Sequence, residues 1–217
     1  MRSRTNVRYM KVGLTVDTRF LKTEMLIRAL APGFKVVPKE NSRLMRLLSK
    51  VLFFNDSFDQ YTTTIGKTVY MPAKDIGVEW VTLAHEGRHV LDRQKWGVLF
   101  GLSYLFPQIL AVFALLAPLS WWWLLSLVFL LPLPAPFRSW WEKRGYGVNF
   151  AILYWLGADP TIETRLHQWV GWAYYKMWPF PKGVRRWHAA WMNQVRADEV
   201  DEYLLKLRAL VKENRSA

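Results

Sequence analysis

The chain contains no cysteine among its 217 residues, and this absence excludes several kinds of site. Disulfide bonds, iron–sulfur clusters, cysteine-ligated zinc and a cysteine nucleophile all need a thiol. A bound metal ion would therefore be held by histidine, aspartate or glutamate. Histidine is also scarce, because the sequence contains only His85, His89, His167 and His188.

Basic residues outnumber acidic ones, and the net charge is +13. Residues 1–50 contain twelve lysines or arginines against three acidic residues. A basic region of this kind can contact nucleic acid or anionic lipid, or it can be a solvated surface. No stretch resembles a nucleic-acid-binding module, so we expect anionic membrane lipid, and not nucleic acid, as its partner. A solvated basic surface is the alternative.

Charged residues are absent from Trp96 to Phe137, a run longer than the about 20 apolar residues of one membrane-spanning helix. Pro118 near its middle predicts two helices, over residues 98–116 and 119–131. Tryptophans cluster near the turn and at the ends, as they do at membrane interfaces. The second arm is short, which favours a re-entrant or shallow hairpin. The alternative is a hairpin buried in a larger assembly, such as a virion.

The orientation of such a hairpin follows from the residues beside it. Basic residues flank both ends of the run, and by the positive-inside rule both ends lie on the cytoplasmic side. The first twenty residues are arginine-rich and lack the continuous apolar core of a secretory signal peptide. We therefore expect the chain to begin in the cytoplasm.

One pentapeptide carries the clearest chemical signal, and it reads His85-Glu86-Gly87-Arg88-His89. It matches the H-E-x-x-H pattern of zinc-dependent hydrolases. On a helix, positions i and i+4 lie on one face, so both imidazoles can bind the same Zn²⁺ ion. Glu86 then lies beside the metal without binding it. We expect it to act as the general base that takes a proton from water activated by the metal.

The surroundings of the motif predict its local structure. Pro72 lies upstream and Asp75 is a suitable N-cap, so a helix is expected over residues 75–95. Gly87 inside that helix predicts that another element packs closely against the metal face. Two β-branched runs between Tyr61 and Pro72 flank a glycine, which predicts a β-hairpin. An edge strand before the metal helix could pair with an extended peptide substrate.

The fold class predicted for the chain is mainly α with a small β-hairpin or edge sheet. Further helices are expected over residues 138–156 and 161–177, and a long or broken helix over residues 184–212. Three regions follow from this pattern. Residues 1–96 hold the basic region, the hairpin and the metal helix; residues 97–137 form the apolar helical hairpin; and residues 138–217 form a helical region with the third metal ligand.

A catalytic zinc ion commonly has three protein ligands and one water molecule. Glu142 is the preferred third ligand, since its helix returns beside the metal helix if the apolar hairpin ends where it began. Tyr146, one turn further on, could donate a hydrogen bond to an oxyanion. The alternative for Glu142 is an ion pair with Arg138 at i−4.

Other residues remain open as ligands. Asp92 is the second choice, although its place at i+3 from His89 better suits a carboxylate that orients an imidazole. The weaker candidates are Asp159, Glu163, His167 and His188.

The H-E-x-x-H pattern followed by a glutamate on a later helix resembles the gluzincin metallopeptidases. The apolar helices between the two elements are similar to those of membrane-embedded zinc proteases of the CAAX-prenyl-protease and HtpX type. Those proteases also carry an E-x-x-x-D pattern, which is absent here because position 146 is tyrosine. Residues 82–94 together with Arg138-x-x-x-Glu142-x-x-x-Tyr146 are more similar to small HExxH proteins of phages and bacteria.

This resemblance implies a zincin-like fold and Zn²⁺ bound by His85, His89 and Glu142, with Glu86 as base. The expected function is a membrane-associated zinc metallopeptidase that hydrolyses a peptide or protein substrate on the cytoplasmic side. The alternative is a membrane-contacting or phage virion component, for example of an ejection apparatus, with a structural or degenerate metal site.

Overall fold

A computed structural model describes residues 16–51, 60–171 and 176–213. The first fifteen residues of the basic region lie outside this range. The described chain is mainly helical with a small sheet, as the sequence predicted. Its α-helices are α1 (Thr18–Leu30), α2 (Arg43–Val51), α3 (Trp80–Trp96), α4 (Val98–Leu105), α5 (Pro136–Leu156), α6 (His167–Val170), α7 (Pro181–Arg196) and α8 (Glu202–Glu213). Short 3₁₀ turns cover Lys39–Asn41 and Ala73–Asp75.

The sheet has three strands in the order β1-β3-β2. Strands β2 (Thr63–Ile65) and β3 (Thr68–Met71) are antiparallel, which confirms the predicted hairpin. Gly66 in its turn has φ +63°, a left-handed conformation that glycine adopts without strain. Strand β1 (Lys35–Pro38), which the sequence analysis missed, pairs in parallel with β3. Both β1 and β2 are therefore edge strands, and β2 packs against the helix Trp80–Trp96.

Helix α3 carries the H-E-x-x-H motif through the centre of the molecule, and its residues from Leu83 to Val90 are all buried. It packs against α1, α5 and the sheet. A Cβ on Gly87 would lie 2.5 Å from both Ile27 on α1 and Tyr203 on α8, so close packing does require glycine there. That contact is not on the metal face, however, because position 87 is about 200° around the helix from His85.

Helix α3 begins at Trp80, five residues later than predicted. Gly77 has φ +87°, so the chain leaves helical geometry there, and its carbonyl accepts a hydrogen bond from the backbone of Asp17. Asp75 ends a 3₁₀ turn and does not cap α3. The tertiary contact with the chain before α1 therefore sets where α3 begins.

Helix α5 follows its prediction closely. It has Pro136 at its first turn, and Gly157 with φ +77° ends it. The predicted helix over residues 161–177 is wrong: residues 161–166 form turns and only α6 is helical, while residues 172–175 lie outside the described range. The predicted helix over residues 184–212 is broken into α7 and α8, with Asp198 in a left-handed conformation between them.

The apolar segment differs from two simple helices. After α4 the chain bends by 89°, and 3₁₀ helices then cover Gln108–Leu116 and Trp121–Leu130 and pack against each other. Pro107 explains the bend, because proline lacks an amide hydrogen and disfavours helical geometry in the residue before it. No residue of α4 or of these 3₁₀ helices is buried, so the segment lies outside the hydrophobic core.

Among the described residues, no single helix is both long and apolar enough to cross a membrane, and one bent pair, Val98–Leu105 with Gln108–Leu116, meets that test only jointly.

Candidate metal centre

Three buried side chains converge between α3 and α5. Nε2 of His85 lies 3.1 Å from Nε2 of His89. The carboxylate of Glu142 completes the group, with Oε2 3.5 Å from Nε2 of His85 and Oε1 3.7 Å from Nε2 of His89. Among the described residues this is the one group of three or more potential ligands placed to hold a metal ion. The structure thus brings together the three residues predicted as metal ligands.

The separations of the three ligand atoms fit one four-coordinate ion. Ligands about 2.0–2.1 Å from a tetrahedral centre are about 3.3 Å apart, and the three observed distances lie on either side of that value. The two imidazole nitrogens face each other, so without a cation between them one has to carry a proton. Two nitrogen ligands and one carboxylate are also a donor set that occurs at catalytic zinc sites.

The pKa shifts of Glu142 and His89 favour the protonation states in which these side chains can bind a metal ion. Burial acts to raise the pKa of Glu142, but the two histidines outweigh it and the pKa falls to about 2. Burial lowers the pKa of His89 to about 4, so this imidazole is neutral at pH 7. Burial also acts to lower the pKa of His85, but Glu142 and Glu86 outweigh it and the net shift is upward. A metal ion binds the neutral imidazole, so protonation of His85 would compete with metal binding.

Glu86 lies beside the cluster and is fixed by the sheet. Thr64 on edge strand β2 donates a hydrogen bond of 2.5 Å from its hydroxyl to Oε2 of Glu86. Burial raises the pKa of Glu86 to about 7, although His85 and this hydrogen bond act to lower it. A carboxylate with a pKa near neutrality can both accept and return a proton.

The face of α5 toward His85 is closely fitted. A Cβ on Gly145 would lie 2.6 Å from Nε2 of His85, so this nitrogen occupies space that a side chain would fill. Tyr146 is buried and its ring stands edge-to-face against His85, with the centroids 4.8 Å apart. The predicted catalytic tyrosine is therefore next to the cluster, where its ring contacts both His85 and Trp169.

The apolar segment also contributes to the site. The hydroxyl of Tyr104 on α4 donates a 2.5 Å hydrogen bond to Oε1 of Glu142. Arg138 donates hydrogen bonds to the carbonyl of Tyr104 and to Oε1 of Gln108, so it does not form the alternative ion pair with Glu142. The indole of Trp141 donates to Oγ of Ser103. These contacts attach α4 to the helix that carries the third ligand.

Asp92 has a different role from the one predicted. Its carboxylate accepts two hydrogen bonds from Arg144, at 2.8 and 2.7 Å, and lies 3.5 Å from the guanidinium of Arg88. It contacts neither imidazole, and Nδ1 of His89 has no hydrogen-bond partner among the described residues. Asp92 therefore ties α3 to α5 through arginine.

The four weaker ligand candidates lie outside the cluster: Asp159, Glu163, His167 and His188. Glu163 forms an exposed ion pair with Arg185, and Nε2 of His188 donates to the carbonyl of Pro160.

Sequence reasoning missed Thr64, Tyr104 and Gly145. A threonine at the predicted edge strand and a tyrosine within an apolar segment carry no signal of their own. Gly145 was the one with a usable signal, since a glycine inside a predicted helix and next to a candidate ligand indicates a close approach.

Comparisons with known proteins add no relative: no protein family matches the chain, and no similar curated protein or solved structure was found.

Proposed function

We propose that this chain is a membrane-associated zinc metallopeptidase of gluzincin type with a zincin-like arrangement of edge strand and metal helix. The convergence of His85, His89 and Glu142 around one point carries the proposal. Glu86 next to that point supports a catalytic site, because a purely structural zinc site needs no buried carboxylate beside its ligands. Three protein ligands also leave the fourth position of a tetrahedral ion open.

Each residue has a chemical part in this proposal. A bound zinc ion would polarise the substrate carbonyl and lower the pKa of water to near 7. Glu86 takes the proton of the attacking water and passes it to the leaving amine. Thr64 orients the carboxylate of Glu86 for this transfer. Tyr146 is the proposed donor to the oxyanion that develops on the carbonyl oxygen.

The position of β2 supports a peptide as the substrate. Its partner β3 lies on one side only, so in the described part of the chain its other edge carries no strand. An extended peptide can add to such an edge through main-chain hydrogen bonds. Because Thr64 on this strand contacts Glu86, a peptide paired there would pass beside the metal cluster.

Membrane association is supported by the apolar segment. Large hydrophobic side chains are exposed along it, among them Leu115, Leu119 and Trp122 at 76%, 79% and 61%. Contiguous apolar surface of this kind marks a membrane or protein contact. Basic residues at both ends of the segment favour the cytoplasmic face of the membrane, with anionic lipid as partner.

Zinc content and hydrolysis of a fluorogenic peptide library test the enzyme proposal. Glu86→Gln should abolish hydrolysis while zinc stays near one ion per chain, because Glu86 is not a ligand. His85→Ala should lose the metal. Glu79→Gln, an exposed carboxylate at the start of α3, is the matched control and should keep both. Hydrolysis retained by Glu86→Gln would contradict the mechanism.

A membrane-contacting or virion component with a structural metal is the second candidate. The observation that favours it is the exposed surface of the apolar segment, whose 3₁₀ helices contain no buried residue, and such a surface suits a chain delivered into an assembly. Zinc bound tightly but with a fourth protein ligand, and no hydrolysis of the peptide library, would support this candidate over the peptidase.

A further inference from the structure

Two cavities share Trp140 on α5 as part of their walls, and one of the two is also lined by charged side chains. A cleft of about 450 Å³ lies beside α5, α7 and the start of α8. An apolar groove of about 830 Å³ lies between α4 and the start of α5. Trp140 lines both, and its side chain is 44% exposed. A ligand that fills the two cavities together would have a polar end and an apolar end.

The cleft has an excess of positive charge at its wall. Arg88, Lys143 and Arg144 line it together with Glu199 and Asp201. Two of the cations are already paired, since Arg88 binds Asp201 and Arg144 binds Asp92. Lys143 is different: in the described ranges it forms no ion pair.

The environment of Lys143 suits a bound anion. Its ammonium group lies 5.9 Å from the ring centroids of both Trp178 and Trp187, so aromatic rings hold it at the cleft. Glu199 also lines the cleft, but it is an exposed residue. An anionic group with a single negative charge would balance Lys143 without displacing either arginine from its partner.

The groove supplies the apolar end. Its walls include Trp96, Leu99, Leu102, Phe137, Trp140 and Trp141. Trp96, Leu99 and Phe137 are 44%, 64% and 51% exposed, so the groove is open at the surface of the apolar segment. Its volume can accommodate part of a long acyl chain, whose burial removes apolar surface from water and is therefore favourable.

We infer that one anionic membrane phospholipid binds across Trp140, with its phosphate at Lys143 and an acyl chain in the apolar groove. The inference rests on the membrane association proposed above and not on the zinc chemistry. Lipid bound there would hold the α5 helix at the membrane surface, with Lys143 at the level of the headgroups. Glu142, the neighbouring residue, faces the metal cluster, so the lipid and the metal would occupy different faces of one helix.

The test measures lipid retained by the full-length chain. The chain, purified in a mild detergent, is titrated with phosphatidylglycerol or phosphatidylcholine, and native mass spectrometry counts the bound lipids. We expect one phosphatidylglycerol molecule bound in preference to phosphatidylcholine. Lys143→Gln should reduce that preference about fivefold, the effect of one basic residue near a lipid headgroup. Trp140→Ala should weaken retention of both lipids.

The controls separate this site from general attraction to charge. Lys74→Gln removes an exposed lysine that lines neither cavity and should leave the lipid preference unchanged. Glycerol phosphate without acyl chains should not compete, because it lacks the apolar end. Zinc content equal to that of the unmodified chain shows that α5 is intact in each variant.

Three outcomes would overturn the inference. The first is an equal preference for phosphatidylglycerol over phosphatidylcholine in Lys143→Gln and in the unmodified chain. Full competition by glycerol phosphate is the second, since it would show a site for free phosphate groups. A second copy of the chain retained in place of lipid, lost in Trp140→Ala, is the third. None of these outcomes bears on hydrolysis, so failure here and failure of the zinc peptidase are distinguishable.

Discussion

The hydroxyl of Tyr104 donates a hydrogen bond of 2.5 Å to Oε1 of Glu142, which joins the apolar segment to the residue proposed as the third metal ligand. The two residues are far apart in sequence, and they form this bond because α5 packs beside α4 after the apolar segment. Arg138 supports the arrangement by donating to the carbonyl of Tyr104. The position of the apolar segment therefore affects the geometry of the metal cluster directly.

Tyr104→Phe should weaken metal binding by about 10- to 100-fold, as loss of a hydrogen bond to a metal ligand commonly does. The carboxylate of Glu142 would keep its charge but lose the group that orients it. Competition against a chelator of known affinity measures the change. Tyr154→Phe, which changes an exposed tyrosine on α5, the helix of Glu142, is the control. Unchanged affinity in Tyr104→Phe would show that packing alone orients Glu142.

Gly145→Ala should abolish metal binding at the cluster while leaving α5 helical. The new Cβ would lie 2.6 Å from Nε2 of His85, so the imidazole has to move away from the point where the ligands converge. Alanine is also the better helix former, by about 1 kcal/mol, so the helix itself should not melt. Zinc content and circular dichroism measure the two effects.

Gly101→Ala is the matched control for this substitution, because its Cβ would meet no atom within 4 Å. Full zinc content in Gly145→Ala would mean that His85 has room to rotate and still bind.

Thr64→Val should shift the acid limb of the pH profile of kcat/KM toward higher pH. Burial raises the pKa of Glu86 to about 7, and the hydrogen bond from Thr64 opposes that rise. Without the donor the pKa of Glu86 rises further. A general base works only when deprotonated, so activity would then appear at a higher pH.

Thr64→Ser keeps a hydroxyl at this position and should restore the original profile. The peptide hydrolysis assay gives the profiles of all three proteins. An acid limb that does not move in Thr64→Val would mean that the limb reports a group other than Glu86.

Asp92→Asn should destabilise the fold by about 3 kcal/mol, near the lower end of the cost of breaking a buried ion pair, since Arg144 stays partly exposed. The substitution leaves Arg88 and Arg144 without their shared carboxylate between α3 and α5. Urea denaturation of the purified chain measures the free energy of unfolding. Glu163→Gln, which breaks an exposed pair with Arg185, should change it little.

Several elements followed from local sequence alone. The glycine between two β-branched runs predicted the hairpin of β2 and β3, and the helix expected over residues 138–156 corresponds closely to α5. Two of the predicted helix bounds were wrong for different reasons. In one a contact with a distant part of the chain sets the bound, and in the other a proline that the prediction did not consider sets it. Gly77 takes a left-handed conformation against the chain before α1 and delays the start of α3. Pro107 breaks what was expected to be one helix over residues 98–116.

The sequence by itself determined the relation of His85, Glu86 and His89. Helical periodicity places the two histidines on one face and the glutamate beside them, whatever the rest of the chain does. It also made Glu142 the preferred third ligand, but only through the assumption that the apolar segment returns to its origin.

Tertiary structure alone decided the rest of the site. The packing of α3 on α5 sets the distances among the three ligands, and it needs Gly145 to be without a side chain. The edge strand brings Thr64 to Glu86, and α4 brings Tyr104 to Glu142. None of these contacts is between residues close in sequence. Each depends on how helices and strands that are distant along the chain pack around one buried cluster. Helical periodicity in the sequence does not determine the distances between these side chains. They are set by the packing of the folded core.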